Sequence, residues 1–221
     1  MKGSYLPFPL TNMRDINGWV ESFPLTNMRD INGWVESLSL AVVAGLFILE
    51  GATMVEHGFY IIDDLFFEKF NDPFLKGNKS ENRPHYYCFK DTNEGLYWII
   101  PLSSRINKYQ KIINQRLKNH KPCDILHICT LSNGKQSVFL IQDMFPITQK
   151  YIKRKYTINS NHLILKNQNE IRIIKQKAER ILNQINRGQH CIPTCADVLS
   201  IKKELLLELQ IETQTADTLT C

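Results

Sequence analysis

The sequence predicts an α+β protein with a single folded domain that spans residues 54–221. Runs of aromatic and β-branched residues bounded by turn residues, which are typical of strands, recur between residues 58 and 147. Polar segments with apolar residues at helical spacing lie among and after these runs. Hydrophobic residues make up 43% and charged residues 22% of the 221 residues, which is the balance of a globular protein with one core.

The predicted strands follow one another in pairs. "GFYII" (Gly58–Ile62) is the first strand, and "DDLFFEKFNDP" after it predicts a short helix. A polar loop over residues 75–84 leads to "HYYCFKD" and "LYWIIPL", which flank the hairpin signal "TNEG". "DILHICTL" and "SVFLIQDMFPI" flank "SNGKQ", in which Asn133 and Gly134 are expected to supply positive φ angles.

Helices are predicted where apolar residues form a stripe. Residues 103–120 have five side chains on one face of the predicted helix, namely Ile106, Tyr109, Ile112, Ile113 and Leu117. Residues 170–188 form the clearest stripe, made of Ile171, Ile174, Ala178, Ile181, Leu182 and Ile185, and Gly188 suits the helix end. Residues 195–210 predict a last amphipathic helix, and the polar tail beyond Ile211 is expected to fray.

The charge is basic and unevenly distributed. Residues 1–53 carry three basic and five acidic side chains, which leaves 24 basic and 17 acidic ones for the rest of the chain. This excess of positive charge favours a polyanionic partner such as RNA, DNA or a membrane surface, without choosing among them.

The cysteines give only a weak metal signal. The six cysteines form no even framework and no paired C-x-x-C motif, which favours a reduced cytoplasmic protein. "HCIPTC" (His190–Cys195) lacks a second ligand pair, and the same weakness applies to His120, Cys123, His127 and Cys129. The sequence therefore predicts no metal and no other cofactor.

Residues 1–53 contain a perfect tandem repeat. "FPLTNMRDINGWVES" occupies Phe8–Ser22 and again Phe23–Ser37. Solenoid repeats span ~20–50 residues and diverge between copies, so this identity indicates a tandem repeat in the DNA. "EGATM" (Glu50–Met54) is compatible with a ribosome-binding sequence shortly before an ATG codon. We interpret residues 1–53 as translated upstream DNA and expect the start at Met54; a genuine N-terminal extension is the alternative.

The same segment holds the one membrane-like stretch, "LSLAVVAGLFIL" (Leu38–Leu49). Its twelve residues are too few to cross a bilayer, which takes about 20. A signal peptide would stand near the start behind basic residues, whereas this run follows two polar repeats. The expectation is a cytoplasmic protein without a membrane partner.

Two parts of the chain carry a family resemblance. "RPHYYCFKDTNEGLYWIIPLSS" and "SVFLIQDMFPI" resemble the ToxN/AbiQ/CptN family of type III toxin–antitoxin endoribonucleases, and within it the CptN branch. The resemblance covers most of residues 54–209. It implies a MazF/PemK-like, SH3-like β-barrel with added amphipathic helices, and metal-independent cleavage of RNA. In such cleavage the RNA's own 2′-hydroxyl attacks the phosphate, which leaves a 2′,3′-cyclic phosphate and a 5′-hydroxyl.

The resemblance also implies the partners. In this family the antitoxin is an RNA of short tandem repeats encoded just upstream of the toxin gene, so the two copies of "FPLTNMRDINGWVES" correspond to antitoxin repeats read in frame. The toxin is implied to trim this RNA into repeat units and to assemble with it into a closed complex with more than one toxin copy. Target cellular RNA is the other partner, and abortive infection against phage is the implied setting.

The family's strand-ending motif P-L-[ST]-S matches Pro101, Leu102, Ser103 and Ser104. Small hydroxyl residues at a strand-to-helix junction can hold phosphate oxygens, so both serines are candidate catalytic residues. Either serine also suits the N-cap of the following helix, and the two roles can coexist in the pair.

Family members carry a lysine after this motif and another before the preceding strand, and this chain departs at both places. Arg105 and Lys108 stand at the first place, and Arg83 and His85 at the second. All are candidate catalytic residues. His85 is the candidate general acid–base because imidazole titrates near neutral pH; an ordinary strand-edge histidine is the alternative.

Other basic residues form a candidate RNA-binding surface, namely Lys90, Lys150, Lys153, Arg154, Lys155, Arg172 and Lys175. A solvated face is the alternative for these charges. Base stacking is possible for Tyr86, Tyr87, Tyr97 and Trp98, of which two are expected in the core. Gln142 and Asp143 are weaker candidates that either contact bases or end a strand.

Two other functions are compatible with the sequence. A non-catalytic RNA-binding barrel would keep the basic surface and leave His85 and Ser104 dispensable. A small exported or membrane-associated protein would need residues 38–49 to be translated and used.

Overall fold

The computed structural model describes residues 54–80, 82–189 and 194–219. The tandem repeat, the apolar run Leu38–Leu49 and most of "HCIPTC" lie outside the described residues. The interpretation of residues 1–53 as translated DNA therefore stays a prediction.

The described residues contain both strands and helices, which confirms the predicted mixture. The strands are β1 Phe59–Ile62, β2 His85–Lys90, β3 Tyr97–Ser103, β4 His127–Thr130, β5 Gln136–Phe139, β6 Phe145–Ile147, β7 Ile152–Lys155, β8 Thr157–Ile158 and β9 Asn161–His162. The α-helices are α1 Asp64–Lys69, α2 Ile106–Lys118, α3 Gln168–Asn186 and α4 Val198–Leu219. Short 3-10 turns cover Ile141–Asp143 and Gln149–Tyr151.

The main sheet is antiparallel, with the strand order β4-β5-β3-β2-β1-β7 and with β6 paired to β3. β8 and β9 form a separate two-stranded sheet. β4 and β7 end this order, and no pairing among the described strands joins them. A closed barrel is thus not detected there, and the MazF-like architecture stays a prediction.

Strand β3 has two partners along one edge. Tyr97–Ile99 pairs with β6, whereas Leu102 and Ser103 pair with β5. Pro101 lies between these pairings and has no N–H to donate, while its carbonyl accepts from the backbone N–H of Leu140 at 3.0 Å. The chain between β5 and β6 leaves the sheet at this point as the turn Ile141–Asp143, which places Asp143 beside β3.

The hairpins form where the turn residues predicted them. Gly95 has φ +74° in the β2–β3 turn, and Gly134 has φ +77° in the β4–β5 turn. The predicted positive φ of Asn133 is wrong, because Gly134 alone supplies that conformation in the turn. The side-chain oxygen of Asn133 instead accepts from the backbone N–H of Lys135 at 3.1 Å, as asparagine often does in turns.

The core consists of two clusters. The first packs the sheet against α3 through Ile171, Ile174, Ala178 and Ile181, which confirms the predicted stripe. Most of the predicted face of α2 packs partly buried against this cluster. Leu117 lies on the same helical face, four residues after Ile113, but it is 59% exposed and does not pack against the cluster. The second cluster joins α1 and α4 to the sheet.

The C-terminal segment differs from its prediction. Helix α4 continues to Leu219, although the tail beyond Ile211 was expected to fray. The hydroxyls of Thr213 and Thr215 donate to carbonyls four residues earlier, at 2.8 and 3.0 Å, which satisfies them within the helix. In the part of the chain that the structure describes, no helix is both long and apolar enough to cross a membrane.

The loop before β2 is anchored by Asn78, which is 3% exposed. Its side-chain amide donates to the carbonyl of Ile62 and, at 3.1 Å, to the carboxylate of Asp64. The backbone carbonyl of Asn78 accepts from the backbone N–H groups of Asn82 and Arg83 at 3.1 and 3.0 Å. One buried side chain therefore fixes the loop to the end of β1.

We expect Asn78→Ala to lower the free energy of unfolding by about 1–3 kcal/mol, because buried polar groups lose their partner. Urea denaturation measures this change. Asn161→Ala is the control, since the exposed amide of Asn161 makes one bond to the carbonyl of Asn159, and we expect it to cost less than about 0.5 kcal/mol. Equal losses in the two variants would contradict the anchoring role.

Candidate active site at the end of strand β3

A pocket of about 280 Å³ lies at the C-terminal end of β3. We call it the serine pocket. Its walls come from the loop before β2, the end of β3, the β4–β5 hairpin and residues of the β7–β9 region. Of the predicted catalytic residues, Arg83, Ser103 and Ser104 line this pocket, whereas His85, Arg105 and Lys108 do not.

The two serines differ in their surroundings. Ser103 is 7% exposed, and its Oγ accepts from the backbone N–H of Arg105 at 3.3 Å. Ser104 is exposed. The N-cap position of α2 is Arg105, which makes no capping bond with its side chain, so neither serine is the N-cap that the sequence allowed. Ser103 holds the turn that leads into α2, and Ser104 presents its hydroxyl beside it.

Positive charges repel one another around these serines. The charge of Arg83, followed by burial and the charge of Arg105, lowers the pKa of Lys79. Burial lowers the pKa of Arg83, Arg105 adds to this, and Tyr109 and Asp143 act in the opposite direction. The pocket lining also includes Lys135, and it contains no carboxylate among the described residues. A bound anion such as a phosphate would relieve this repulsion.

Asp143 is a buried carboxylate near the positive charge of Arg83. It is 8% exposed, and its Oδ2 has no hydrogen-bond partner among the described residues. Burial raises the pKa of Asp143 to about 6, although Lys76, Arg83 and a hydrogen bond from Gln142 oppose this effect. A carboxyl group with such a pKa exchanges protons readily near neutral pH. The sequence offered one signal for it, an acidic residue inside the apolar run 137–147.

Tyr109 links Asp143 to the serines. Burial raises the pKa of Tyr109, and the charge of Asp143 adds to this. A hydrogen bond with Ser103 acts in the opposite direction, as do the charges of Arg83 and Arg105. The helix pattern predicted Tyr109 only as part of a buried face, whereas the pKa of its hydroxyl responds to Asp143, Ser103 and the two arginines around it.

His85 lies in the core. Its side chain has no exposed surface, and its ring lies 6.0 Å from that of Phe67 and 5.8 Å from that of Phe145. Burial, with the nearby charge of Arg83, lowers the pKa of His85 to about 3. A general acid–base needs an accessible imidazole that titrates near neutral pH, and neither condition is met. The strand-edge alternative is also wrong, because β2 lies between β1 and β3.

The predicted RNA-binding residues are dispersed, and none of them lines the serine pocket. Most are exposed: Lys90 at the end of β2, Lys153, Arg154 and Lys155 on β7, and Arg172 and Lys175 on α3. Lys150 is exposed as well, but it forms ion pairs with Glu208 at 2.8 Å and Glu212 at 3.1 Å, which neutralise its charge and count against a phosphate contact. The stacking candidates are more buried than expected, since only Tyr97 retains exposure and Tyr86, Tyr87 and Trp98 belong to the core.

Comparison with known proteins gives a likeness of fold. No family model and no curated protein matches the sequence. The structure is similar to that of AbiQ, described as a lactococcal anti-phage endoribonuclease of the type III toxin–antitoxin system, with a TM-score of 0.54 and 11% identity. The match covers 69% of this chain and 98% of the AbiQ chain. At this identity the likeness shows a shared fold, and it does not distinguish the CptN branch.

We expect Asp143→Asn to flatten the dependence of stability on pH. The folded protein binds the Asp143 proton more tightly than the unfolded chain, whose aspartates titrate near pH ~3.9, so this side chain lowers stability as the pH rises toward 6. The variant should therefore gain roughly 1–3 kcal/mol over the wild type between pH 4 and pH 7. Urea denaturation at both pH values measures the difference.

The control for this experiment is Glu68→Gln, which removes an exposed carboxylate from α1. We expect its free energy of unfolding to stay within about 0.5 kcal/mol of the wild type. An Asp143→Asn variant whose stability differs from the wild type by the same amount at both pH values would show that the carboxyl group is not strained by burial.

Proposed function

We propose that the protein is an endoribonuclease toxin of a type III toxin–antitoxin system and that it cleaves RNA without a metal ion. The observation that carries this proposal is the serine pocket, where two hydroxyl groups lie beside the mutually repelling charges of Lys79 and Arg83. Arg105, next to Ser104 in the chain and outside the pocket lining, adds to this repulsion. The likeness of fold to AbiQ, an endoribonuclease, supports the reaction class. The MazF-like barrel and the CptN branch are finer parts of the same proposal.

The chemistry required of the protein is limited, because the RNA supplies its own nucleophile. The 2′-hydroxyl attacks the adjacent phosphorus and loses its proton to a base, and the bond to the 5′-oxygen breaks as that oxygen gains a proton. The products are a 2′,3′-cyclic phosphate and a 5′-hydroxyl. The protein must hold the phosphate, move two protons and stabilise the additional negative charge in the transition state.

The residues of the site can be assigned to these tasks. Ser104 donates its hydroxyl to a phosphate oxygen, and Ser103 keeps the turn in place through its bond to Arg105. The cationic side chains of Arg83 and Arg105 stabilise the charge that develops on the phosphate. Asp143 replaces His85 as the proposed proton-transfer group. It lies outside the pocket lining, but it keeps 8% exposure where His85 has none, and its pKa of about 6 suits that role.

The first test uses the full chain, mixed cellular RNA and excess EDTA. We expect cleavage to fragments with 5′-hydroxyl and 2′,3′-cyclic phosphate ends, as determined by end-specific ligation. Ser104→Ala and Arg83→Gln should each lower the cleavage rate about 10²–10³-fold, as the loss of one group that stabilises developing charge does in other enzymes.

Two variants outside the pocket serve as matched controls. Ser200→Ala changes a hydroxyl at the start of α4, and Arg187→Gln removes a charge at the end of α3. Both should cleave RNA at the wild-type rate. Cleavage that stops on addition of EDTA to folded protein would contradict the metal-independent mechanism.

We further propose that RNA containing the upstream repeat inhibits the protein by occupying the same pocket. The resemblance of the sequence to the toxin family is the support for this partner. A transcript of the DNA that encodes residues 8–37 should suppress cleavage, while a scrambled transcript of equal length should not. Equal inhibition by the two transcripts would show that the protein binds RNA only through nonspecific charge attraction.

The salt dependence of binding tests where this RNA lies. For single-stranded RNA the logarithm of affinity falls with the logarithm of salt by about 0.7 for each phosphate contact. Replacing both Lys79 and Arg83 by glutamine should therefore reduce the slope by about 1.4 if the repeat RNA contacts both. An unchanged slope would place the RNA elsewhere on the surface.

A non-catalytic RNA-binding protein is the second candidate function, and the burial of His85 favours it, because the predicted acid–base group is inaccessible. Under that function the repeat RNA binds tightly and mixed RNA remains intact in the presence of folded protein. The cleavage assay with and without added divalent metal separates the two functions.

A further inference from the structure

A second cluster of ligating side chains lies where β4 meets the first turn of α3. His127 and Cys129 are two residues apart on β4, so their side chains share one face of the strand. Glu170 stands in the first turn of α3. One ligand atom from each of the three side chains lies within 4.8 Å of the others, and the His127 Nε2 and Glu170 Oε2 atoms are hydrogen-bonded to each other. None of these residues lines the serine pocket.

This set of donors is one that zinc prefers. An imidazole nitrogen, a thiolate sulfur and a carboxylate oxygen provide three corners of a tetrahedral site, and water can supply the fourth. The cluster is also shielded, since Cys129 is a free thiol with 5% exposure and the side chain of His127 is 12% exposed.

We propose that His127, Cys129 and Glu170 bind one Zn²⁺ or a similar thiophilic divalent cation in each chain. Binding displaces the thiol proton of Cys129 into solvent, and two bonds to the metal replace the hydrogen bond between His127 and Glu170. The thiolate and the carboxylate together neutralise the charge of the ion. Lys177 brings a positive charge near His127, and its Nζ donates to the carbonyl of Leu126 at 2.9 Å.

The position of the site gives the ion a structural role. β4 is an end strand of the main sheet, and Cys129 pairs with Ser137 of β5, which lines the serine pocket. An ion bound here joins β4 to α3 and stiffens one wall of that pocket. It takes no part in the proposed cleavage, because its ligands lie outside the pocket.

Co²⁺ is the probe for this site, because a cobalt–thiolate bond absorbs strongly in the near ultraviolet. We expect the reduced full-length chain to show this absorption with a stoichiometry of one Co²⁺, and added Zn²⁺ to abolish it. Cys129→Ala should remove the absorption. His127→Ala and Glu170→Gln should each weaken Co²⁺ affinity at least about 100-fold, since even residues that only support metal ligands contribute 10–100-fold.

Control variants keep this test decisive. Cys88→Ala replaces another buried thiol, and Cys191→Ala removes a cysteine of "HCIPTC"; neither should change the absorption. Circular dichroism confirms folding, and the partly exposed Glu170→Gln provides the test if Cys129→Ala does not fold. Folded wild-type protein without cobalt absorption overturns the proposal, as does absorption that persists in Cys129→Ala. The titration reads metal binding directly, so its failure is distinct from a failure of RNA cleavage in EDTA.

Discussion

The change of partner along β3 is the constraint on which the rest of the site depends. Pro101 has no N–H group, so it cannot donate to a neighbouring strand, and the pairing passes there from β6 to β5. The connecting chain must leave the sheet at that point. This exit places Asp143 at the side of the same strand that ends in Ser103, so the geometry of the sheet and that of the candidate site have one origin.

The candidate site combines groups that are each unfavourable when alone. Like charges repel around Lys79 and Arg83, and the carboxylate of Asp143 is buried at a cost to its ionised form. Such arrangements lower the stability of a folded protein and are common where an enzyme holds charged groups ready for a ligand. Stabilisation comes from elsewhere, notably from the apolar packing of α3 and α4 against the sheet and from the buried anchor Asn78.

Features with local causes could be predicted from the sequence, and features that depend on distant contacts could not. The hairpin at Gly95 and the stripe of α3 follow from turn chemistry and periodicity. The burial of His85 depends on the strands β1 and β3, which pair with the two edges of β2, and on the rings of Phe67 and Phe145. The ion pair of Lys150 with Glu208 joins segments far apart in the chain. Family resemblance indicated Ser103 and Ser104 as candidates, and both line one pocket, but it gave no signal for the raised pKa of Asp143.

The cationic strand β7 has a consequence for the behaviour of the protein in solution. An end strand of a sheet offers backbone groups to any other strand, and exposed lysines and arginines on it discourage that pairing through repulsion between copies. Lys153, Arg154 and Lys155 stand on this end strand and are exposed. A polyanion that neutralises them would remove this protection against self-association, so these three charges oppose pairing between copies only while they are not neutralised.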